Sequence, residues 1–303
     1  MAFAAFTAAD VVVRTPRKKS PVALLLLLPG VLYLVLFFLA PLVSLFFTAL
    51  QVPHLDGDIG QYDYGFNWAN YTDVIRMYLP HILRSFGYAI IATVIALLFS
   101  YPLAYLIGVK ARSRPMLQGL MLVLVIAPFF ISFLLRTLAW KQILADESLI
   151  ITSLKALSLL APDAHFTGTP AAVIFGLAYN FIPFMTLPLY TSLERLDLRY
   201  LEAGSDLYAN PFTVFRKITV PLSMPGIIAG TLLTFIPAAG DYVNASKDFL
   251  GAPDTQMIGN VIETNFLVLQ NYPAAAALSI ILMAVILIIV GVYVKRLGTE
   301  DLL

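Results

Sequence analysis

The chain has 303 residues, of which 60% are apolar and only 12% carry a charge. Soluble domains carry about 25% charged residues, so a water-soluble globule is excluded and lipid must form part of the solvent. A net charge of +1 excludes a global basic field for nucleic acid, and the lack of cysteine excludes disulfides and zinc–thiolate sites. The composition indicates a polytopic membrane protein.

Apolar runs long enough to cross a bilayer occur six times in the chain. They are continuous rather than alternating, which predicts an all-α fold with six transmembrane helices. The predicted spans are Pro21–Leu50, Ser85–Val109, Pro115–Leu135, Ala171–Leu193, Ile218–Gly240 and Ala274–Val294. Residues 1–20 are a predicted cytoplasmic N-terminal tail, and residues 21–303 are a predicted single transmembrane domain.

Lysines and arginines in the connections predict the orientation of the spans. Thirteen lie on the side of the two termini and six on the opposite side, so both termini are predicted to be cytoplasmic. The outer loops combine six cations with eleven acids, a net charge of −5. One outer segment, Leu149–Leu160, is apolar but too short to span, and it predicts a helix lying along the outer interface.

The spans contain few groups that could perform chemistry or couple transport to an ion gradient. Proton- or sodium-driven carriers keep titratable groups inside their spans, whereas here the fifth span reaches only Asp241, at its outer end. His54, His81 and His165 lie on outer loops without carboxylates at ligand spacing, so no metal site and no catalytic residue are predicted. No phosphate-binding loop occurs. Uphill transport would therefore need energy from another subunit. A passive channel is the alternative interpretation.

The connection between the fourth and fifth spans, residues 194–220, holds eight of the 37 charged residues of the chain. Asp197 is placed to cap a helix that begins near Arg199. Asn210 followed by Pro211 is typical of an N-cap and the first residue of a second helix. The loop is therefore predicted to form two short amphipathic helices on the cytoplasmic surface.

Within this loop, Glu202-Ala203-Gly204 and the later pair Asn210-Pro211 resemble the EAA loop of ABC-importer permeases. The resemblance implies that the loop docks in a groove of a cytoplasmic ATPase. The implied docking residues are Glu202, Ala203, Gly204, Asp206, Asn210 and Pro211. Two positions depart from the family pattern, because Gly204 stands in place of alanine and Tyr208 in place of glycine.

Runs in the C-terminal third resemble, more narrowly, the spermidine/putrescine importer permeases. They are Phe235–Ala238, Gly240–Val243, Leu250-Gly251, Met257–Asn260, Tyr272-Pro273 and Ala275–Ser279. The resemblance implies a type I ABC importer in a bacterial inner membrane, in which this chain is a non-catalytic permease without a cofactor of its own. The implied partners are a second homologous permease, two ATPase subunits that bind ATP and Mg²⁺, and an extracytoplasmic polyamine-binding protein. Two alternatives remain at this point: a related permease for thiamine, iron or sulfate, and a self-sufficient six-span carrier or channel.

The outer end of the fifth span holds the first candidate for the translocation path. A carboxylate at the depth of Asp241 is costly if it faces lipid, so we expect it to face the path, with Tyr242 offering an aromatic face to an ammonium group. Glu263 is a second candidate carboxylate, and Tyr179 and Asn180 in the fourth span are candidate lining residues. The alternative is that Asp241 caps its helix, Tyr242 is an interfacial aromatic and Glu263 is solvated.

Overall fold

The computed structural model describes residues 21–54 and 58–297, and its regular structure is almost entirely helical. The predicted all-α membrane fold is thereby confirmed, while the predicted tail, residues 1–20, lies outside the described residues. The chain divides into two units, the first ending at Phe47 and the second beginning at Thr48.

The first unit is an apolar helical stretch. Helix α1 (Pro21–Leu34) continues through a π-helical turn, Val35–Leu39, into α2 (Ala40–Ala49). Most large apolar side chains between residues 25 and 47 are exposed. Because the 25 residues Leu25–Ala49 are long and apolar enough to cross a bilayer, this stretch corresponds to the first predicted span.

The second unit begins with a two-stranded antiparallel ribbon and continues as helices. In the ribbon, β1 (Val52–Pro53) pairs with β2 (Tyr62–Asp63). The helices are α3 (Ala69–Tyr105), α4 (Pro115–Ile126), α5 (Phe133–Ile143), α6 (Leu149–Ala156), α7 (Pro170–Glu194), α8 (Arg199–Asp206), α9 (Pro211–Val214), α10 (Val220–Leu222), α11 (Met224–Ala239), α12 (Ile258–Glu263) and α13 (Tyr272–Leu297). The core lies where α3, α7 and α11 pack together, and α13 packs beside α3 and α12.

The number of candidate spans in the described residues is four to six. Four helical stretches are long and apolar enough by themselves, and two further pairs of helices are bent. The four stretches are Leu25–Ala49, Ala69–Ser113, Pro170–Glu194 and Tyr272–Arg296. If each bent pair is one span, the count is the six that the sequence predicts.

The third predicted span, Pro115–Leu135, is wrong as a continuous helix. After α4 the chain tightens into a 3₁₀ turn, Ala127–Phe130, and Ile131 then adopts an extended conformation. Helix α5 leaves this break at 95° to the preceding helix. Pro128 lacks the N–H that an α-helix needs, which accounts for the change from α-helical to 3₁₀ geometry at Ala127.

The fifth predicted span, Ile218–Gly240, begins later than predicted. Ile218 belongs to a π-helical turn of the preceding loop, and the membrane helix α11 begins only at Met224. Ser223 separates the two helical segments at a bend of 68°. Because Pro225 cannot donate a hydrogen bond to the preceding turn, α11 starts as a separate helix.

Small residues let α11 approach α7 closely. A Cβ atom at Gly226 would lie 2.6 Å from the Cβ of Ser192 and 2.8 Å from the carbonyl oxygen of Pro188. Gly230, one turn further, faces the backbone of Met185 in the same way. Small residues four apart are typical of tightly packed membrane helices. This crossing holds α11 in place, and α11 connects the loop of residues 194–220 to Asp241.

The outer segment predicted to form an interfacial helix is helical as α6. The Oγ atom of Ser148 accepts a hydrogen bond from the N–H of Ile151, and Ile151 is buried while Leu149 is exposed. Nearby, Nδ1 of His165 lies 2.5 Å from the carboxylate of Asp146, and this hydrogen bond lowers the pKa of Asp146. This hydrogen bond therefore ties together the two ends of the loop that contains α6.

Candidate coupling and translocation sites

The loop of residues 194–220, predicted to be cytoplasmic, forms the two predicted short helices. Asn210 caps the second, since its Oδ1 accepts a hydrogen bond of 2.7 Å from the N–H of Thr213, and Pro211 occupies the first turn. At the first helix, α8, Leu198 is the N-cap residue, but Asp197 accepts from the N–H of Arg199 and from its guanidinium. These hydrogen bonds lower the pKa of Asp197. Short-range contacts therefore fix the starts of both helices.

Helix α8 presents one packed and one open face. Gly204 is buried, and a Cβ atom there would lie 2.9 Å from Cδ1 of Ile218. In contrast, Glu202, Ala203 and Asp206 are exposed. The small residue thus seats α8 on the second helix of the loop and leaves two carboxylates on the open surface.

Tyr208 adopts a conformation that favours glycine. Its φ angle is +56°, and its side chain is 99% exposed. A left-handed backbone costs a residue with a Cβ atom about 1–2 kcal/mol. The position at which the family pattern has glycine is therefore also a position at which this backbone favours glycine.

At the outer end of α11, Asp241 belongs to a buried hydrogen-bond network. Its two carboxylate oxygens accept from the backbone N–H of Asn244 at 2.8 Å and from the side-chain amide of Asn244 at 3.1 Å. The amide of Asn180 donates to Oδ1 of Asn244 at 3.2 Å and to Oγ1 of Thr137 at 3.1 Å. The network therefore joins α5, α7 and the segment after α11.

Arg136 lies next to this network without a counter-charge among the described residues. It is 9% exposed, and its Nε and Nη1 atoms are buried with no hydrogen-bond partner in that part of the chain. The guanidinium carbon is 5.9 Å from the ring centre of Phe133. A buried cation without a partner is costly, so this end of the bundle carries a positive charge that the described contacts leave uncompensated.

The other predicted path residues are spread around this network. Tyr242 is 50% exposed, and its backbone carbonyl accepts from the side chain of Asn260. Glu263 ends α12, and it makes no hydrogen bond or ion pair with Asp241 within the described ranges. Burial raises the pKa of Glu263, and the negative charge of Asp248 raises it further. Asp241 and Glu263 are therefore not one paired site.

Tyr179 and Asn180 are adjacent in the chain but differ in their contacts. Asn180 is buried in the network, whereas the ring of Tyr179 packs against Trp140, with ring centres 5.1 Å apart. Sequence reasoning missed Asn244, Thr137 and Arg136 as members of the network. The only sequence signal was their polarity next to apolar runs, which does not indicate that they meet.

Comparison with known proteins identifies the family. A family model described as binding-protein-dependent transport system inner membrane component matches residues 100–298. The chain belongs to this family. Two curated relatives are named spermidine/putrescine transport system permease protein PotB. That of Haemophilus influenzae is 36% identical over 264 residues, covering 87% of this chain and 90% of that protein. That of Escherichia coli K12 is 38% identical over 229 residues, covering 75% and 82%.

A solved structure supports the same fold. A bacterial alginate ABC transporter in complex with an alginate pentasaccharide-bound periplasmic protein has a chain that matches with a TM-score of 0.64 at 16% identity. The match covers 89% of this chain and 91% of that chain. The predicted resemblance to polyamine-type ABC-importer permeases is thus confirmed. This chain is a non-catalytic, multi-pass component of the bacterial inner membrane, and such subunits work with a binding protein and an ATPase.

Proposed function

We propose that this chain is a permease subunit through which an ATP-driven importer moves spermidine or putrescine into the cell. The observation that carries the proposal is its similarity, over most of its length, to two permeases named for that transport. We propose as partners a second homologous permease, a dimer of ATPase subunits that bind ATP and Mg²⁺, and an extracytoplasmic polyamine-binding protein. Both termini are cytoplasmic in this proposal, as the distribution of lysine and arginine predicts.

Charge on the outer side supports a polycationic substrate. The outer loops of the predicted topology carry a net charge of −5. Glu263 lies close enough to Asp248 for the second carboxylate to raise the pKa of the first. Two neighbouring carboxylates repel each other, and a ligand with two ammonium groups relieves that repulsion. A sulfate permease would gain nothing from such a pair.

The cytoplasmic loop is the proposed docking site for the ATPase. Glu202 and Asp206 are exposed on α8, and the small Ala203 between them leaves room for a partner surface. The buried Gly204 and the Asn210–Pro211 cap hold the two helices as one body. A charge-assisted contact of Glu202 with a basic residue of the ATPase would contribute about 1.5–3 kcal/mol.

The proposed translocation path passes the outer end of α11. Asp241 and Asn180 form the buried part of this region, and Tyr242, the next residue after Asp241, is half exposed. Glu263 supplies a second negative charge, and Tyr179 contributes an aromatic wall with Trp140. Carboxylates and aromatic faces there would stabilise a passing ammonium group, whereas the buried charge of Arg136 would oppose it.

Reconstitution tests the function and the substrate together. The complete importer in proteoliposomes should accumulate labelled spermidine or putrescine only with its binding protein and ATP. Unlabelled thiamine, ferric iron and sulfate should not compete. Accumulation of one of these solutes in place of polyamines would overturn the substrate. Accumulation of polyamine by this chain alone under a pH gradient would favour the self-sufficient carrier instead.

Separate Asp241→Asn and Glu263→Gln variants test the path. Each should assemble with its partners and lose uptake, with a larger loss for spermidine than for the shorter putrescine. Glu147→Gln, a change of an exposed outer-loop carboxylate, is the matched control. Uptake of both polyamines at wild-type rates in both variants would remove the two carboxylates from the path.

The lack of native cysteine makes the orientation directly testable. A single cysteine at Ser205, in the docking loop, should react with a membrane-impermeant maleimide only after the cytoplasmic side is opened. A single cysteine at Ser158, beyond α6, should react in intact cells. The reverse pattern would invert the topology.

A further inference from the structure

A buried hydrogen bond stabilises the bend between the loop of residues 194–220 and α11. Ser223, at the bend, is fully buried, and its Oγ donates to the carbonyl oxygen of Val220. The phenol oxygen of Tyr101, on α3, lies 2.7 Å from the same Oγ. Since Ser223 donates its only proton to Val220, Tyr101 is the donor to Ser223. The 68° bend is therefore tied to a different helix.

The same turn of α3 also contacts the loop itself. The ring of Tyr101 meets that of Phe215 edge to face, with ring centres 5.3 Å apart. Tyr105, one turn further along α3, meets Phe215 at 6.3 Å in the same orientation. The hydroxyl of Tyr105 makes no hydrogen bond within residues 21–54 and 58–297. The two tyrosines thus share a packing partner, and only Tyr101 also holds the bend.

Helix α3 is tightly packed against α7 around Tyr101. Tyr101 lies between Ala96 and Ala104, which are fully buried against Met185 and Leu189 of α7. Beyond the end of α3, the guanidinium of Arg112 donates to the carbonyl oxygen of Leu196 at 2.9 Å. Because Ala96 and Ala104 pack against α7 on either side of Tyr101, the Tyr101 hydroxyl is fixed relative to α7.

We propose that Tyr101 is a positioning residue for energy coupling, which holds Ser223 as the pivot between the loop and α11. With the pivot held, a displacement of α8, α9 and α10 by the ATPase changes the direction of α11. Without it, the same displacement is absorbed at the bend, and ATP is hydrolysed without opening the path. The inference rests on the proposed function of the loop as the ATPase docking site.

The test compares Tyr101→Phe with Tyr105→Phe in the complete importer. Both variants lose one hydroxyl and keep a ring against Phe215, so the aromatic contact is retained in each. ATP hydrolysed and polyamine accumulated are measured in the same proteoliposomes. Loss of a buried hydrogen bond should lower the polyamine accumulated per ATP about fivefold for Tyr101→Phe. Tyr105→Phe should keep the wild-type ratio.

A second variant separates the hydrogen bond from the phenol itself. Ser223→Ala should lower the ratio as Tyr101→Phe does, and the double variant should be no worse than either single variant, because all three break one interaction. Additive losses, an unchanged ratio in Tyr101→Phe, or an equal loss in Tyr105→Phe would overturn the inference.

Failure of the proposed function gives a different result. If the wild-type complex hydrolyses ATP but accumulates no polyamine, the substrate assignment fails. The inference is then judged on the stimulation of ATP hydrolysis by the loaded binding protein, which Tyr101→Phe should reduce and Tyr105→Phe should not. If Glu202→Lys leaves docking of the ATPase unchanged, the docking site fails, and this inference fails with it.

Discussion

The cytoplasmic loop and the outer Asp241 network are built in opposite ways. In the loop, the stabilising hydrogen bonds join residues two or three apart, such as Asn210 with Thr213. In the network, Asn180 joins Thr137 and Asn244, which lie 43 and 64 residues away in the chain. The contacts that cap the two helices of the loop can therefore form locally, whereas the network exists only when three segments are packed.

The largest expected effect is on the network. Asn244→Leu leaves a buried carboxylate oxygen of Asp241 without a donor and the amide of Asn180 without one of its acceptors. Each unsatisfied buried group costs about 1–3 kcal/mol, so the free energy of unfolding in detergent micelles should fall by about 3 kcal/mol or more. Asn210→Ala, which removes an amide from the loop, is the comparison. An equal loss in both variants would contradict the difference between the two regions.

The next effect concerns binding of the ATPase rather than stability. Glu202→Lys should leave the chain folded, because Glu202 is exposed, but weaken binding of the ATPase subunit about 10- to 150-fold. Affinity measured on the purified permease complex gives the result, and uptake should fall with it. Glu147→Lys makes the same charge change on an outer loop and should have no effect. Wild-type affinity in Glu202→Lys would exclude the proposed contact.

Within the loop, the cap of the second helix should have a moderate effect. Asn210→Ala removes the acceptor of the Thr213 N–H and should lower the free energy of unfolding by about 1 kcal/mol. Asn210→Asp restores an acceptor and should recover most of that loss. Full stability of Asn210→Ala would mean that the cap contributes nothing in this loop.

At Tyr208, a substitution is expected to raise the free energy of unfolding rather than lower it. Tyr208→Gly relieves the left-handed backbone, offset in part by the greater freedom of glycine in the unfolded chain. A gain of up to about 1 kcal/mol in the free energy of unfolding is expected. Tyr200→Gly, an exposed position inside α8, should instead lose stability. A loss in both variants would mean that the tyrosine ring contributes contacts that outweigh its backbone strain.

The smallest effect is the pH dependence of the outer carboxylates. The pKa of Glu263 is raised, so it takes up a proton at a higher pH than an ordinary glutamate as the outer solution is acidified. The protonated form attracts an ammonium group less, and uptake should fall by about 1.5- to 5-fold. Glu263→Gln should start at the reduced rate and lack this step. A pH profile identical to that of the wild type would assign the dependence to another group.

Much of the fold could be predicted because the hydropathy of a short segment is enough to place it in the membrane. A run of about 20 apolar residues is sufficient to predict a span, and the count of six agrees with four long helices and two bent pairs. Hydropathy does not indicate where the helix of a span is broken. The extended Ile131 after Pro128 and the bend at Ser223 leave the apolar character of the sequence unchanged, so both predicted boundaries were wrong.

The sequence by itself determined the class of protein, its apolar helical spans, the two short helices of the loop 194–220 and the Asn210 cap of the second. Each of these depends on composition or on residues within one turn, such as Asn210 and Thr213. Only the tertiary structure decided that Asn244 holds Asp241 and Asn180, that Arg136 is buried beside them, and that Tyr101 meets Ser223 across 122 residues. Those contacts arise from close helix packing, which brings isolated polar groups together out of water, and no local pattern in the chain specifies which ones meet.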